Sequence, residues 1–124
     1  MSTVLIVEDN EKNMKLARDV LQAKGYKTLE ATSGEDGVKL ARQHVPDLVL
    51  MDIQLPGING IEAFKQIRAD AKSARVPVVA LTASVTPTDR STINAAGFDA
   101  FVSKPINLKE FLDTVKRLLE RAAK

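Results

Sequence analysis

The chain has 124 residues, no cysteine, and a formal net charge of +2 from 18 basic and 16 acidic side chains. That length suits one domain with a single core, and the lack of cysteine excludes disulfides and thiolate metal sites and fits a reducing cytosol. The basic residues are spread over several helices, only loosely gathered near the C-terminus (Lys116, Arg117, Arg121, Lys124), and aromatic side chains are scarce, so the charge reads as solvated helix faces rather than a nucleic-acid surface.

Met1-Ser2-Thr3 leads straight into Val4-Leu5-Ile6-Val7, without the basic segment of a cleavable signal. No apolar run approaches the ~18 residues needed to cross a bilayer. A cytoplasmic location without membrane contact is expected.

Residues 3–7 read as the first strand. A helix is predicted from Glu11 to Lys24, capped by Asn10 and stopped by Gly25, with Met14, Ala17, Val20 and Leu21 at helical spacing. Residues 27–31 alternate weakly, which places them at a sheet edge. Ser33 caps a helix running to about Gln43 and buried through Val38 and Ala41. The third strand spans 48–51 after Pro46, and the next helix opens at Asn59 with Glu62 in a capping-box pattern, burying Ile61, Phe64 and Ile67 and ending near Asp70. Residues 78–81 after Pro77 form a fourth, wholly apolar strand.

The helix at 87–96 has Pro87 in its first turn but is weakened by Thr88, Ser91, Thr92 and Asn94. Gly97 ends it, and Ala100-Phe101-Val102 gives a fifth strand. Asn107 and Glu110 open a final helix with Leu108, Phe111, Leu112, Val115, Leu118 and Leu119 as its apolar stripe. Strict alternation of strand and helix predicts an α/β, doubly wound (βα)5 fold with a parallel five-stranded sheet. Burial on both faces puts the first, third and fourth strands in the centre, giving the order 2-1-3-4-5.

In such sheets ligands sit beyond the carboxyl ends of the strands, where strand order reverses. That point lies between the first and third strands, which end in Glu8-Asp9 and Asp52. Like charges ~4 Å apart repel by ~4 kcal/mol at an effective dielectric of 20, so a cation is expected among these acids. An all-oxygen donor set without His or Cys suits Mg²⁺. The fourth strand ends in Thr82 and the fifth in Ser103-Lys104-Pro105. Lys104 can neutralise Asp52 and later hold a transferred phosphoryl oxygen, and Thr82 can donate to another.

These strand-end residues, in the segments VEDNEKNMKL, MDIQLPGINGIEAF, LTA and SKP, resemble the two-component response-regulator receiver domain, from residue 3 to about 121. The resemblance implies a flavodoxin-like fold, a phosphoacceptor at Asp52 and Mg²⁺ held by Asp9, Asp52, the Gln54 carbonyl and waters, with Glu8 acting through water. It also implies a switch pair, Thr82 and Phe101, and tuning of dephosphorylation by Gln54 and Ser84. The implied donor is a histidine kinase or histidine phosphotransfer protein, or a small donor such as acetyl phosphate. The chain would be no enzyme beyond catalysing its own phosphorylation and dephosphorylation.

Two other chemistries fit less well. An aspartyl-nucleophile phosphatase of the haloacid-dehalogenase type needs a second Asp two residues after the first, where this chain has Gln54. An FMN module of the same fold needs a Ser/Thr/Gly-rich loop after the first strand, where Glu8-Asp9-Asn10-Glu11 would repel phosphate. His44 reads as a surface residue, and Gly57 and Gly60 as turn glycines that bring backbone near the site. Residues 1–124 are expected to form one receiver domain without an output domain, signalling through contact with a downstream protein. A receiver excised from a hybrid kinase or larger regulator is the alternative, as is a binding module that works without phosphorylation.

Overall fold

The computed structural model describes residues 2–55, 57–82, 87–104 and 107–122, with side chains left aside at 87–90 and 121–122. Strands β1 (Thr3–Val7), β2 (Lys27–Ala31), β3 (Leu48–Asp52), β4 (Val78–Thr82) and β5 (Ala100–Ser103) alternate with helices α1 (Glu11–Ala23), α2 (Gly34–His44), α3 (Gly60–Ala69), α4 (Pro87–Ala96) and α5 (Leu108–Ala122). The strands form one parallel sheet in the order β2-β1-β3-β4-β5. This is the fold expected from the apolar patterning: β1, β3 and β4 are central and buried almost throughout, and β2 lies at an edge.

Alternation along the strands divides the core between the two faces of the sheet. Val4, Ile6, Leu48, Leu50, Val79, Leu81 and Val102 pack under α1 and α5. Leu5, Val7, Val49, Met51 and Val78 pack with residues of α2 and α3.

Side-chain caps start four helices: Asn10, Ser33, Asn59 and Asn107 accept from the amides of Asn13, Asp36, Glu62 and Glu110. The capping box at Asn59 is only half made, because Glu62 accepts from Gln66 Nε2, 3.5 Å away, instead of reaching back. At its other end α2 closes with Val45 at φ 44°, a left-handed conformation costly for a β-branched residue.

Several sequence expectations shift. Strands β3, β4 and β5 each run one residue further than their apolar runs, because Asp52, Thr82 and Ser103 remain in register with neighbouring strands. Helix α1 ends at Ala23 with Lys24 as its C-cap, and α2 reaches His44. Ile61 is only half-buried and Ala63 takes its place in the core. Leu108, in the first turn of α5 before the helix settles onto the sheet, is exposed, and Val20 and Leu112 sit at the margin of the core.

At the amino edge of the sheet, Asp99 Oδ2 accepts from Arg68 Nη2 at 2.7 Å and from the Val78 amide at 2.8 Å. Arg68 also donates through Nη1 to the Val76 carbonyl and lies 4.8 Å from the centre of the Phe64 ring. Phe64 stacks on Phe98 with centroids 4.1 Å apart. This set ties α3 to the starts of β4 and β5.

Candidate functional site at the carboxyl edge of the sheet

The end of each central strand delivers a polar side chain to the same edge. Glu8 continues β1 by donating its amide to the Ala31 carbonyl at 3.0 Å. Asp52 closes β3 opposite Leu81, and Thr82 closes β4 opposite Ser103. Their exposures are 1% for Glu8, 3% for Asp52 and 2% for Thr82, so these are interior polar groups that must be satisfied locally. Asp9, one residue beyond Glu8, is exposed.

Glu8, Asp9 and Asp52 each bring a carboxylate oxygen within 4.8 Å of the others. Lys104 Nζ donates to Glu8 Oε2 at 2.8 Å and to Asp52 Oδ2 at 3.1 Å. The remaining oxygens are held in a matching way: Glu8 Oε1 accepts from the Asn10 amide at 3.2 Å, and Asp52 Oδ1 from the Gln54 amide at 3.0 Å. Each buried acid is thus fixed by the lysine on one oxygen and by the backbone two residues ahead on the other. The Lys104 amide donates to the Thr82 carbonyl at 2.7 Å, which continues the β4–β5 ladder and brings the lysine back over the site.

The charges do not balance. Three carboxylates face one ammonium among the described residues. Burial, the largest effect, pushes the Glu8 carboxyl above its ordinary value; the Lys104 ammonium opposes this and Asp52 adds to it. For Lys104, burial pulls downward, but hydrogen bonds and charge from Glu8 and Asp52 outweigh it and raise the ammonium. An oxygen-only donor set with surplus negative charge, open at Asp9, fits a hard divalent cation such as Mg²⁺.

Of the residues picked out from the sequence, Glu8, Asp9, Asp52 and Lys104 come together directly, and Thr82 lies buried on the strand next to Asp52. The Gln54 side chain is exposed, while its amide holds Asp52. Phe101 is half-buried opposite Ala80 and, by strand alternation, shares a face with Thr82. Ser84 lies outside the described residues, and His44 is exposed as expected. Sequence reasoning assigns Lys104 to Asp52 alone and misses its shorter bond to Glu8. A signal existed: an acid directly following a wholly apolar strand is as buried as the strand itself.

Residues 4–116 match the family described as Response regulator receiver domain. The chain belongs to this family, the receiver class of two-component signalling proteins. Among its relatives, the polar-differentiation response regulator DivK of Brucella ovis is 46% identical over 117 residues, covering 94% of this chain and 95% of DivK. The receiver domain of the sensor histidine kinase PA1611 from Pseudomonas aeruginosa, solved with magnesium in its active-site cleft, superposes with a TM-score of 0.90 at 32% identity, over 96% of this chain and 98% of that one. The chemotaxis protein CheY4 of Vibrio cholerae gives a TM-score of 0.89 at 26% identity, covering 95% and 98% of the two chains.

Proposed function

We propose that this receiver is switched by phosphorylation of Asp52, with the phosphoryl group coming from a phosphohistidine on a histidine kinase or phosphotransfer protein, or from acetyl phosphate. The supporting observation is that Asp52 is 3% exposed yet held as a carboxylate, one oxygen on Lys104 and the other on the Gln54 amide. The Asp52 carboxylate attacks phosphorus, the P–N bond to the donor imidazole breaks, and an acyl phosphate forms. Asp9, Asp52 and the Gln54 carbonyl would hold Mg²⁺, with Glu8 alongside them. When bound, Mg²⁺ supplies positive charge against the phosphoryl oxygens.

This chain's residues supply the rest. The Asn10 and Gln54 amides aim the acids, and Lys104 can leave its carboxylates for a phosphoryl oxygen. The Thr82 hydroxyl is the proposed second donor to that group, with Phe101 following its movement. Gln54 and Ser84 would tune hydrolysis of the acyl phosphate, as the family resemblance implies. The receiver would catalyse only its own phosphorylation and dephosphorylation, and signal in the cytoplasm by contact with a downstream protein rather than with nucleic acid. Among the described residues, no helix is long and apolar enough to cross a membrane.

Acetyl phosphate with and without Mg²⁺, applied to wild type and Asp52→Asn and read by intact mass, tests this. One added phosphoryl group that needs Mg²⁺ and is lost in the variant is expected. Phosphorylation that persists in Asp52→Asn would overturn the assignment of the acceptor.

A further inference from the structure

Gly60 opens α3 and is buried. Its φ is not among the positive values found at Gly25, Gly57 and Gly97, so its backbone shape does not call for glycine. Space does. A Cβ at this position would lie 2.1 Å from the Asp52 carbonyl oxygen, 2.9 Å from the Asp52 carbonyl carbon and 2.8 Å from Ile53 Cα.

The other crowded glycines meet different groups. Gly37 would meet the Val7 side chain, Gly57 the Glu35 carboxylate, and Gly34 the side chain and carbonyl of Ile58. Gly60 alone among the described glycines presses on the backbone of Asp52.

We infer that Gly60 is a positioning residue for Asp52, its bare Cα acting as a stop against which the peptide after the acid is set; the inference rests on Asp52 being the phosphoacceptor. The peptide is pinned around this stop. The Gly60 amide donates to the Ile53 carbonyl at 3.0 Å, and the Ile53 amide to the Leu81 carbonyl at 3.0 Å. The next amide, of Gln54, holds Asp52 Oδ1.

A methyl group at Gly60 cannot be relieved by moving α3 freely, because Ala63, Phe64 and Ile67 anchor that helix in the core. The displacement passes to the Asp52–Ile53 peptide, and so to the direction of the Asp52 side chain. Misplacement by about 1 Å near a reacting atom slows reactions by about 10²-fold.

Wild type, Gly60→Ala and Gly25→Ala form the test. Gly25 has φ +89° and nothing within 4 Å of the place a Cβ would take, so its variant adds backbone strain far from the site and serves as the control for destabilisation. Two quantities are read: the rate of phosphorylation by acetyl phosphate with Mg²⁺, and amide hydrogen exchange at Gln54 in the metal-free protein.

Gly60→Ala is expected to phosphorylate about 10- to 100-fold more slowly. Its Gln54 amide should exchange about tenfold faster relative to the β1 amides, because the bond to Asp52 Oδ1 is lost. Gly25→Ala should keep the wild-type rate and Gln54 protection. A wild-type rate in Gly60→Ala, or an unchanged Gln54 amide, overturns the inference.

If Gly60→Ala is unfolded at the assay temperature, all three proteins are compared in trimethylamine N-oxide, which favours the compact state. A chain that still does not fold would make Gly60 a determinant of the fold and equally overturn the positioning role. A wild type that takes up no phosphoryl group would instead count against the phosphoacceptor reading, leaving the Gln54 amide to decide the positioning.

Discussion

At the amino edge of the sheet, Asp99 is matched by Arg68 and a backbone amide, whereas at the carboxyl edge Glu8 and Asp52 share Lys104 and Asp9 adds a third carboxylate beside them. The first set closes on itself: one anion, one cation, with the spare guanidinium donor on the Val76 carbonyl and its flat face near Phe64. The second is left negative and partly open. Charges that hold a fold together are brought to balance, while charges kept for chemistry are left short of a partner that arrives from outside. Burial sharpens the contrast: Asp99 is exposed, whereas Glu8 and Asp52, which carry the surplus charge, are interior.

The sharpest way to break this contrast is to remove the cation from each set. Lys104→Met should slow phosphorylation by about 10²- to 10³-fold. The same change should tighten Mg²⁺ binding, measured by calorimetry, because the ammonium no longer competes for Glu8 and Asp52. Arg68→Met should do the opposite. It should cost about 2 kcal/mol of stability in urea unfolding, through lost hydrogen bonds to Asp99 and Val76, and leave the phosphorylation rate of the folded protein unchanged.

Relieving the strain at Val45, away from both sets, should stabilise the protein. Val45→Gly is expected to gain about 0.5–1 kcal/mol in urea unfolding, since glycine adopts φ 44° without a Cβ clash.

The pH dependence of the open set sharpens the comparison further. Glu8 has a folded-state pKa raised above its ordinary 4.5, chiefly by burial. Its ionisation therefore opposes folding above the raised value, and the penalty is relieved as pH falls from there to 4.5. Without divalent cations, the stability of wild type relative to Glu8→Gln should rise as pH is lowered across that interval. Lys104 works at the other extreme: its raised pKa gives stability present below 10.5 and lost as pH climbs through the folded-state value. A control at the surface completes the series. Lys15→Ala, which removes an exposed pair with Asp19, should leave the urea midpoint essentially unchanged, because water screens that pair.

Most of the fold was legible because each central strand is a short apolar run and four of the helix starts carry their own cap. The site was legible for the same reason: an acid, hydroxyl or amine placed immediately after an apolar run must emerge at one edge of the sheet. What could not be read was pairing across distance. Nothing local to Arg68 or Asp99, 31 positions apart, marks them as partners. Nor does anything local to Lys104 tell that it sits nearer Glu8 than Asp52. The errors within elements are of a different kind. Ile61 and Leu108 are apolar residues in first helical turns, where helical spacing marks a face before the helix has settled onto the sheet. Gly60 reads as a turn glycine, but its place depends on a contact with the Asp52 carbonyl that no spacing rule contains.

Lys104 follows Glu8 by 96 residues and Asp52 by 52. A chain made from its N-terminus therefore gathers its acids on β1 and β3 well before it owns the amine that quiets them. Until β5 docks, those carboxylates repel one another at the heart of a half-built sheet, and the ammonium that arrives with the last strand offsets that repulsion. A chain that stops short of β5 therefore carries Glu8 and Asp52 without the ammonium that pairs with them in the complete sheet.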